Sequence, residues 1–238
     1  MRGDDCGSVC VTSIPYAKIK RMFELPLFPL NTVLFPGMPL QLHIFEERYK
    51  KMMQKVMDGD QTFGVVLIRR GLEANGPLAE PHQVGCTARI VQVQPLPDAR
   101  LELVAIGKER FDTISYDSVS EPYLVGQVVS KPLHLPAKEI LVPYIDKLRP
   151  WVNRYLQRLA EAGDLKNAMQ ELPEDPIPML YLSAIVLHVP LAIKQQFLEI
   201  QEAVDFSISL MTVYRRELAL LGAMLASSNS STRGFSVN

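Results

Sequence analysis

Residues 25–49 read Leu-Pro-Leu-Phe-Pro-Leu-Asn-Thr-Val-Leu-Phe-Pro-Gly-Met-Pro-Leu-Gln-Leu-His-Ile-Phe-Glu-Glu-Arg-Tyr. Pro26, Pro29, Pro36 and Pro39 exclude a helix interior and a central ladder position, so this is extended chain broken by turns. Pro36-Gly37 suits the two central positions of a type II turn, Pro presetting φ and Gly supplying the positive φ that the second position needs. A strand leaves that turn. Leu40, Leu42 and Ile44 alternate with Gln41 and His43, the period of a half-buried strand, before Glu46 and Glu47 open a helical pattern.

Outward from this stretch, Tyr49, Met52, Met53 and Val56 fall at helical spacing, which predicts an amphipathic helix over 46–57 ended by Asp58-Gly59. Phe63 to Ile68 is a short apolar run, read as a strand buried on both faces. Val84–Val93 and Leu101–Ile106 form a long hairpin joined by residues 94–100. Gly107 to Arg110 reads as a polar break, followed by strands over 111–116 and 123–130. With the strand at Leu40 this makes about six strands and one helix, with no βαβ rhythm. A small closed or pseudo-closed barrel removes the edges of such strands most economically.

The period changes after Lys131-Pro132. Leu141, Ile145, Leu148, Val152, Tyr155 and Leu159 follow helical spacing, with Pro150 expected to kink or divide the segment. Asp175 before Pro176 reads as an N-cap with Pro at the first helical position. Pro190 opens another helix, and a last one runs from about Ala203 to Leu225. The predicted architecture is α+β: residues 1–21 a disordered tail, 22–132 a β-rich lobe with one helix, 133–226 a helical bundle, and 227–238 a Ser-rich disordered tail.

Composition narrows the function. With 47% hydrophobic residues, 21% charged residues and a formal net charge of −1, the chain has globular composition and no basic field for a polyanion. The start lacks a secretory h-region, and Ile177–Ile193 is too short and too interrupted by proline to span a membrane. Cys6 and Cys10 lie in a tail without core signals and Cys86 on a strand, which suits a reducing, cytoplasmic setting rather than a disulfide framework. Neither Cys6-x-x-x-Cys10 nor the scattered His43, His82, His134 and His188 makes a zinc spacing, so no metal and no cofactor is expected. No Gly-x-x-x-x-Gly-Lys-Ser/Thr loop occurs, and no serine–lysine pair carries a peptidase signature. The turn 34–38 would expose Phe35 and Met38 unless another lobe covers it, which makes these two the candidate peptide contacts.

Several separated segments carry a family resemblance: 25–49, Phe63-Gly64-Val65-Val66-Leu67-Ile68, Val84-Gly85-Cys86-Thr87-Ala88-Arg89-Ile90, Leu96-Pro97-Asp98, and Ile185 to Pro190 followed by Lys194-Gln195-Gln196-Phe197-Leu198-Glu199. Their order across residues 24 to about 225 resembles the amino-terminal substrate-binding domain of Lon proteases, in a free-standing form. Ala99 stands where a Gly commonly follows the Pro-Asp pair, and Glu47 where relatives often carry Pro. The resemblance implies a PUA-like pseudo-barrel joined to a helical bundle. It also implies a non-catalytic module for unfolded polypeptide or a dedicated protein partner, linked to protein quality control. The alternative is an RNA-binding PUA-like protein, for which a basic, aromatic-studded strand is wanting.

Overall fold

A computed structural model describes residues 22–73, 76–161 and 171–232, with side chains of the last helix described as far as Ala223. Six strands come first: β1 (Met22–Leu30), β2 (Pro39–Ile44), β3 (Thr62–Arg70), β4 (Glu80–Pro95), β5 (Leu101–Asp117) and β6 (Leu124–Ser130), with α1 (Glu47–Asp58) between β2 and β3. Four helices follow: α2 (Lys138–Glu161), α3 (Pro176–Val186), α4 (Leu191–Glu199) and α5 (Ala203–Thr232). The α+β order of a β-rich lobe and then a helical bundle is the one the sequence predicts.

The strands pair in the order β2-β5-β4-β3-β1-β6, and a further β5–β6 pairing closes β5, β4, β3, β1 and β6 into a ring. β2 hangs on β5 outside that ring. Only β1 and β3 run parallel.

Two strands differ from expectation. Met22–Leu30 is a full strand despite Pro26 and Pro29. It pairs with β6 over Met22–Leu27 and with β3 over Leu27–Leu30, so each proline sits where only one side carries a ladder and a missing N–H is tolerated. The expected break at Gly107–Arg110 is absent, and β5 runs unbroken from Leu101 to Asp117. The segment is instead a bulge within the strand: Lys108 and Glu109 together face Thr87 between the Cys86–Arg110 and Ala88–Gly107 pairs. There the Thr87 hydroxyl accepts from the Glu109 N–H at 3.0 Å and donates to its carbonyl at 3.2 Å, replacing lost ladder bonds. The 95–101 turn puts Asp98 at φ 61° and Ala99 at φ 53°, so Ala99 takes the left-handed conformation that Gly adopts without strain.

α1 buries Tyr49, Met52, Met53 and Val56, the stripe its spacing predicts, against a barrel interior that includes Ile44, Phe63 and Leu103. α2 is one helix through Pro143 and Pro150. Leu148 and Val152 on either side of Pro150 are fully buried, and packing mainly on α5 holds the turn that proline weakens. Asp175 occupies the N-cap position of α3 through its backbone, with no hydrogen bond from its side chain. α5 continues to Thr232, past the predicted end near Leu225, since 226–232 contains neither Gly nor Pro to stop it. Residues 1–21 and 233–238, with Cys6 and Cys10, lie outside the described residues. No helix among the described residues is long and apolar enough to cross a membrane.

Candidate functional site

The turn that opens β2 forms as its sequence predicts. Met38 N–H donates to the Phe35 carbonyl at 3.0 Å across Pro36 and Gly37, whose φ is 81°. Its two candidate contacts take different places. Phe35 has no exposed surface: its ring lies 6.5 Å from that of Tyr181 on α3, inside a cluster that joins barrel and bundle. Phe35 therefore offers no contact to a client, because the bundle covers the apolar tip that water would otherwise have met. Met38 is half-buried and touches both the barrel and bundle cores. Along the extended residues 33–35, Val33 and Phe35 point into the bundle core and Leu34 into the barrel core, so this segment is a shared wall.

Polar bonds close the same interface. Arg110, 2% exposed, donates to the backbone carbonyls of Leu198 and Ile200 at the C-terminal end of α4. Burial pushes its guanidinium pKa down, with the Tyr181 hydroxyl, the Cys86 thiol and the Asp112 carboxylate acting the other way. Gln195 on α4 donates to the Val84 carbonyl at 3.0 Å and the Glu199 carboxylate at 2.9 Å. At these residues the two lobes meet through buried side chains.

The open feature lies on the other side of β2. Gly107 N–H donates to the Met38 carbonyl at 2.9 Å where the β2–β5 ladder begins. Alternation from that bond turns the N–H and C=O of Leu40, Leu42 and Ile44 toward β5, and those of Gln41 and His43 away from it. Among the described residues no strand pairs with that outer edge. Across the hollow is β1, which beyond Leu27 has β3 on one side and, β6 having ended, no paired strand on the other among the described residues.

A hollow of about 260 Å³ opens between these two free edges. Phe28 and Leu30 of β1, Leu42 and Phe45 from β2 and its end, and Tyr49 of α1 supply its apolar lining. The Phe28 and Tyr49 rings meet at 4.2 Å, and burial raises the Tyr49 hydroxyl pKa, opposed by the neighbouring Arg48 charge. Phe45 remains 46% exposed, stacked on His43 with ring centres 6.0 Å apart. Two carboxylates stand at the margin. Glu46 is paired with Arg48 at 2.9 Å, and Glu73 accepts the Asn31 N–H at 2.8 Å.

The outer face of the same sheet carries a second, larger hollow of about 460 Å³. Two cross-strand rows floor it, Gln41–Val104–Gln92 and His43–Glu102–Gln94, with His43 and Glu102 3.9 Å apart. The rows carry no lysine or arginine. β2 is therefore an accessible strand with an apolar slot along its edge and an amide-rich surface on its outer face.

No cluster of three or more His, Cys, Asp or Glu able to hold a metal occurs among the described residues. Cys86 is 1% exposed, and burial pushes its thiol pKa up to about 12, which suppresses the nucleophilic thiolate. The β2 edge is not legible as a site in the sequence, because it depends on which strands β1 and β2 pair with, and residue alternation does not specify that. Its local clues were Pro39 at the start of the strand and Phe45 just beyond its end.

A sequence profile of the ATP-dependent protease La (LON) substrate-binding domain matches residues 24–205. The chain belongs to that family. It is 26% identical over 208 residues to the Lon protease of Porphyromonas gingivalis and 25% over 202 residues to that of Cytophaga hutchinsonii. Each alignment covers 83% of this chain and 24% of the relative, so the chain spans about a quarter of their length. Among solved structures, the Lon N-terminal domain protein from Xanthomonas campestris matches with a TM-score of 0.58 at 21% identity, over 80% of this chain and 98% of that one. The N-terminal domain of Mycobacterium avium complex Lon protease matches at 0.61 and 17% identity, over 81% and 98%. At these identities the two structures establish the LON N-terminal fold. The family profile ends at Asp205, so almost all of α5 lies beyond it.

Proposed function

We propose that this LON substrate-binding domain is a non-catalytic recognition module that takes an extended segment of unfolded polypeptide as an added strand along the outer edge of β2. The observation that carries the reading is the unpaired edge at Gln41 and His43 beside an apolar slot. Main-chain hydrogen bonds from the edge would supply sequence-tolerant affinity, and alternate client side chains would enter the slot against Leu42, Phe45 and Tyr49. Such tolerance fits a module that meets many clients, and the Lon protease relatives point to a place in protein quality control. The rows around Glu102 carry no cations, which weighs against RNA on this face.

The test is Gln41→Pro. It deletes an outward N–H and no internal ladder bond, so the fold should tolerate it as edge strands tolerate proline. Binding of a fluorescently labelled, permanently unfolded polypeptide should weaken about tenfold or more, the worth of one or two lost hydrogen bonds and a blocked edge. Hydrogen exchange at the His43 amide of the unmodified protein should slow when the polypeptide is bound. Unchanged affinity in the variant together with unchanged exchange at His43 would discard strand addition at β2.

A further inference from the structure

On the helical lobe, away from β2, the chain's sole tryptophan sits in a ring of cations. Lys147, Pro150, Trp151 and Arg154 recur at the spacing of one helical face of α2, beside the buried stripe of Leu148, Val152 and Tyr155. Met211 and Arg215 of α5 complete a hollow of about 380 Å³ around them. The Arg154 and Arg215 guanidinium carbons lie 5.8 and 5.6 Å from the centre of the indole ring. Lys147 is 5.9 Å from the Tyr144 ring. None of the three cations has a carboxylate partner among the described residues, and no acidic side chain lines the hollow.

This arrangement is unusual for a chain whose charges nearly cancel. Several other surface cations are paired, Lys55 with Glu121, Arg69 with Glu80, Arg158 with Glu161 and Arg216 with Glu217, whereas these three gather around one hollow with no acid in its lining. Three positive charges held together without an anion repel one another, and an anionic ligand removes that repulsion. The indole orients the two guanidinium groups by cation–π attraction, so little side-chain freedom is left to lose when a carboxylate arrives. Pro150, Trp151 and Met211 supply apolar wall between the charges. The complement of such a surface is an apolar side chain flanked by carboxylates.

We propose that the α2–α5 face is a second binding site, specific for an acidic, apolar segment of a partner protein. Two features favour a peptide over nucleic acid. The guanidinium groups already lie over the indole, so a base would have to displace them to stack there. Three cations neutralise too few phosphates to hold a strand at physiological salt. The site also lies partly on α5, beyond residues 24–205 that the family profile matches, so its partner need not be a client of the β2 edge.

Because Trp151 is the sole tryptophan, its emission reports on this site directly. The full chain is titrated with an acetylated, amidated peptide of alternating Glu and Leu, and separately with its Gln–Leu counterpart, a short single-stranded RNA and inorganic phosphate. The Glu–Leu peptide should shift or quench the emission saturably, and its binding should weaken about tenfold or more between roughly 50 and 300 mM salt. Arg154→Gln with Arg215→Gln should abolish the response while far-UV circular dichroism stays unchanged, and Lys147→Glu alone should weaken it. Gln41→Pro should leave it unaltered. No response to the Glu–Leu peptide, an equal response to the Gln–Leu peptide, survival of the response in the double variant, or a response to RNA or phosphate in place of the peptide would overturn the proposal.

Discussion

Phe35→Ala tests whether the turn before β2 is a structural joint or a docking tip. Phe35 is fully buried, near Tyr181, in a cluster that also draws Leu67 and Val84 from the barrel and Leu180 and Phe206 from the bundle. Truncation removes the burial of the ring and leaves a cavity that rigid surroundings on two lobes cannot fully close. The expected loss is about 3 to 5 kcal/mol. With a urea dependence of about 3 kcal/mol per molar, the unfolding midpoint should fall by roughly 1 to 1.7 M. Because this one cluster spans both lobes, tyrosine fluorescence and far-UV circular dichroism should report the same transition in the unmodified protein. Polypeptide binding measured well below the variant's midpoint should be unchanged, since the side chain has no exposed surface. A loss under about 1 kcal/mol combined with weakened polypeptide binding would refute this account and restore Phe35 as a contact residue.

Ala99→Gly should raise stability by about 0.5 to 1 kcal/mol in thermal melts, because it relieves a left-handed alanine at φ 53° by more than it adds to unfolded-chain entropy. Gly107→Ala should cost about 3 kcal/mol or abolish folding, since a Cβ there would lie 2.2 Å from the Phe35 carbonyl oxygen at the point where β5 holds the turn. Cys86 should resist a thiol reagent near pH 8 in the folded protein and react once urea unfolds it. Its folded pKa of about 12 lies above the ordinary value of 9.0, so the folded state holds the proton more tightly. That contribution to stability is present in full below about pH 9 and is lost as pH rises toward 12, which Cys86→Ala should remove from the pH dependence of alkaline melts.

Much of this architecture is legible in the chain because its cause is local. The type II turn at Pro36-Gly37 needs only those two residues' backbone preferences. The buried stripes of α1 and α2 follow from the spacing of Tyr49, Met52, Met53 and Val56 and of Leu141, Ile145, Leu148 and Val152, because helical period alone sets which side chains share a face. The turn around Ala99 was equally visible, and its left-handed backbone is the local penalty that a hairpin there imposes.

What local preference could not reach was decided by distant partners. β1 is a strand although it carries two prolines, because β6 and β3 each pair where the other does not. β5 stays whole through Gly107–Arg110 because the Thr87 hydroxyl of β4 bonds both the N–H and the carbonyl of Glu109 across the bulge. The fate of Phe35 turned on whether α3 would cover it, a contact across more than a hundred residues of chain about which turn chemistry is silent. The two surfaces left for partners have the same origin. The slot exists because β1 and β2 end up facing one another unpaired, and the Trp151 hollow because folding sets α5's Arg215 beside α2's Arg154 with no acid between them. Sequence determined the elements and their buried faces, since these depend on neighbours along the chain. Tertiary structure determined which edges and charges were left over, because an unpaired group is defined only once every other group has found its partner.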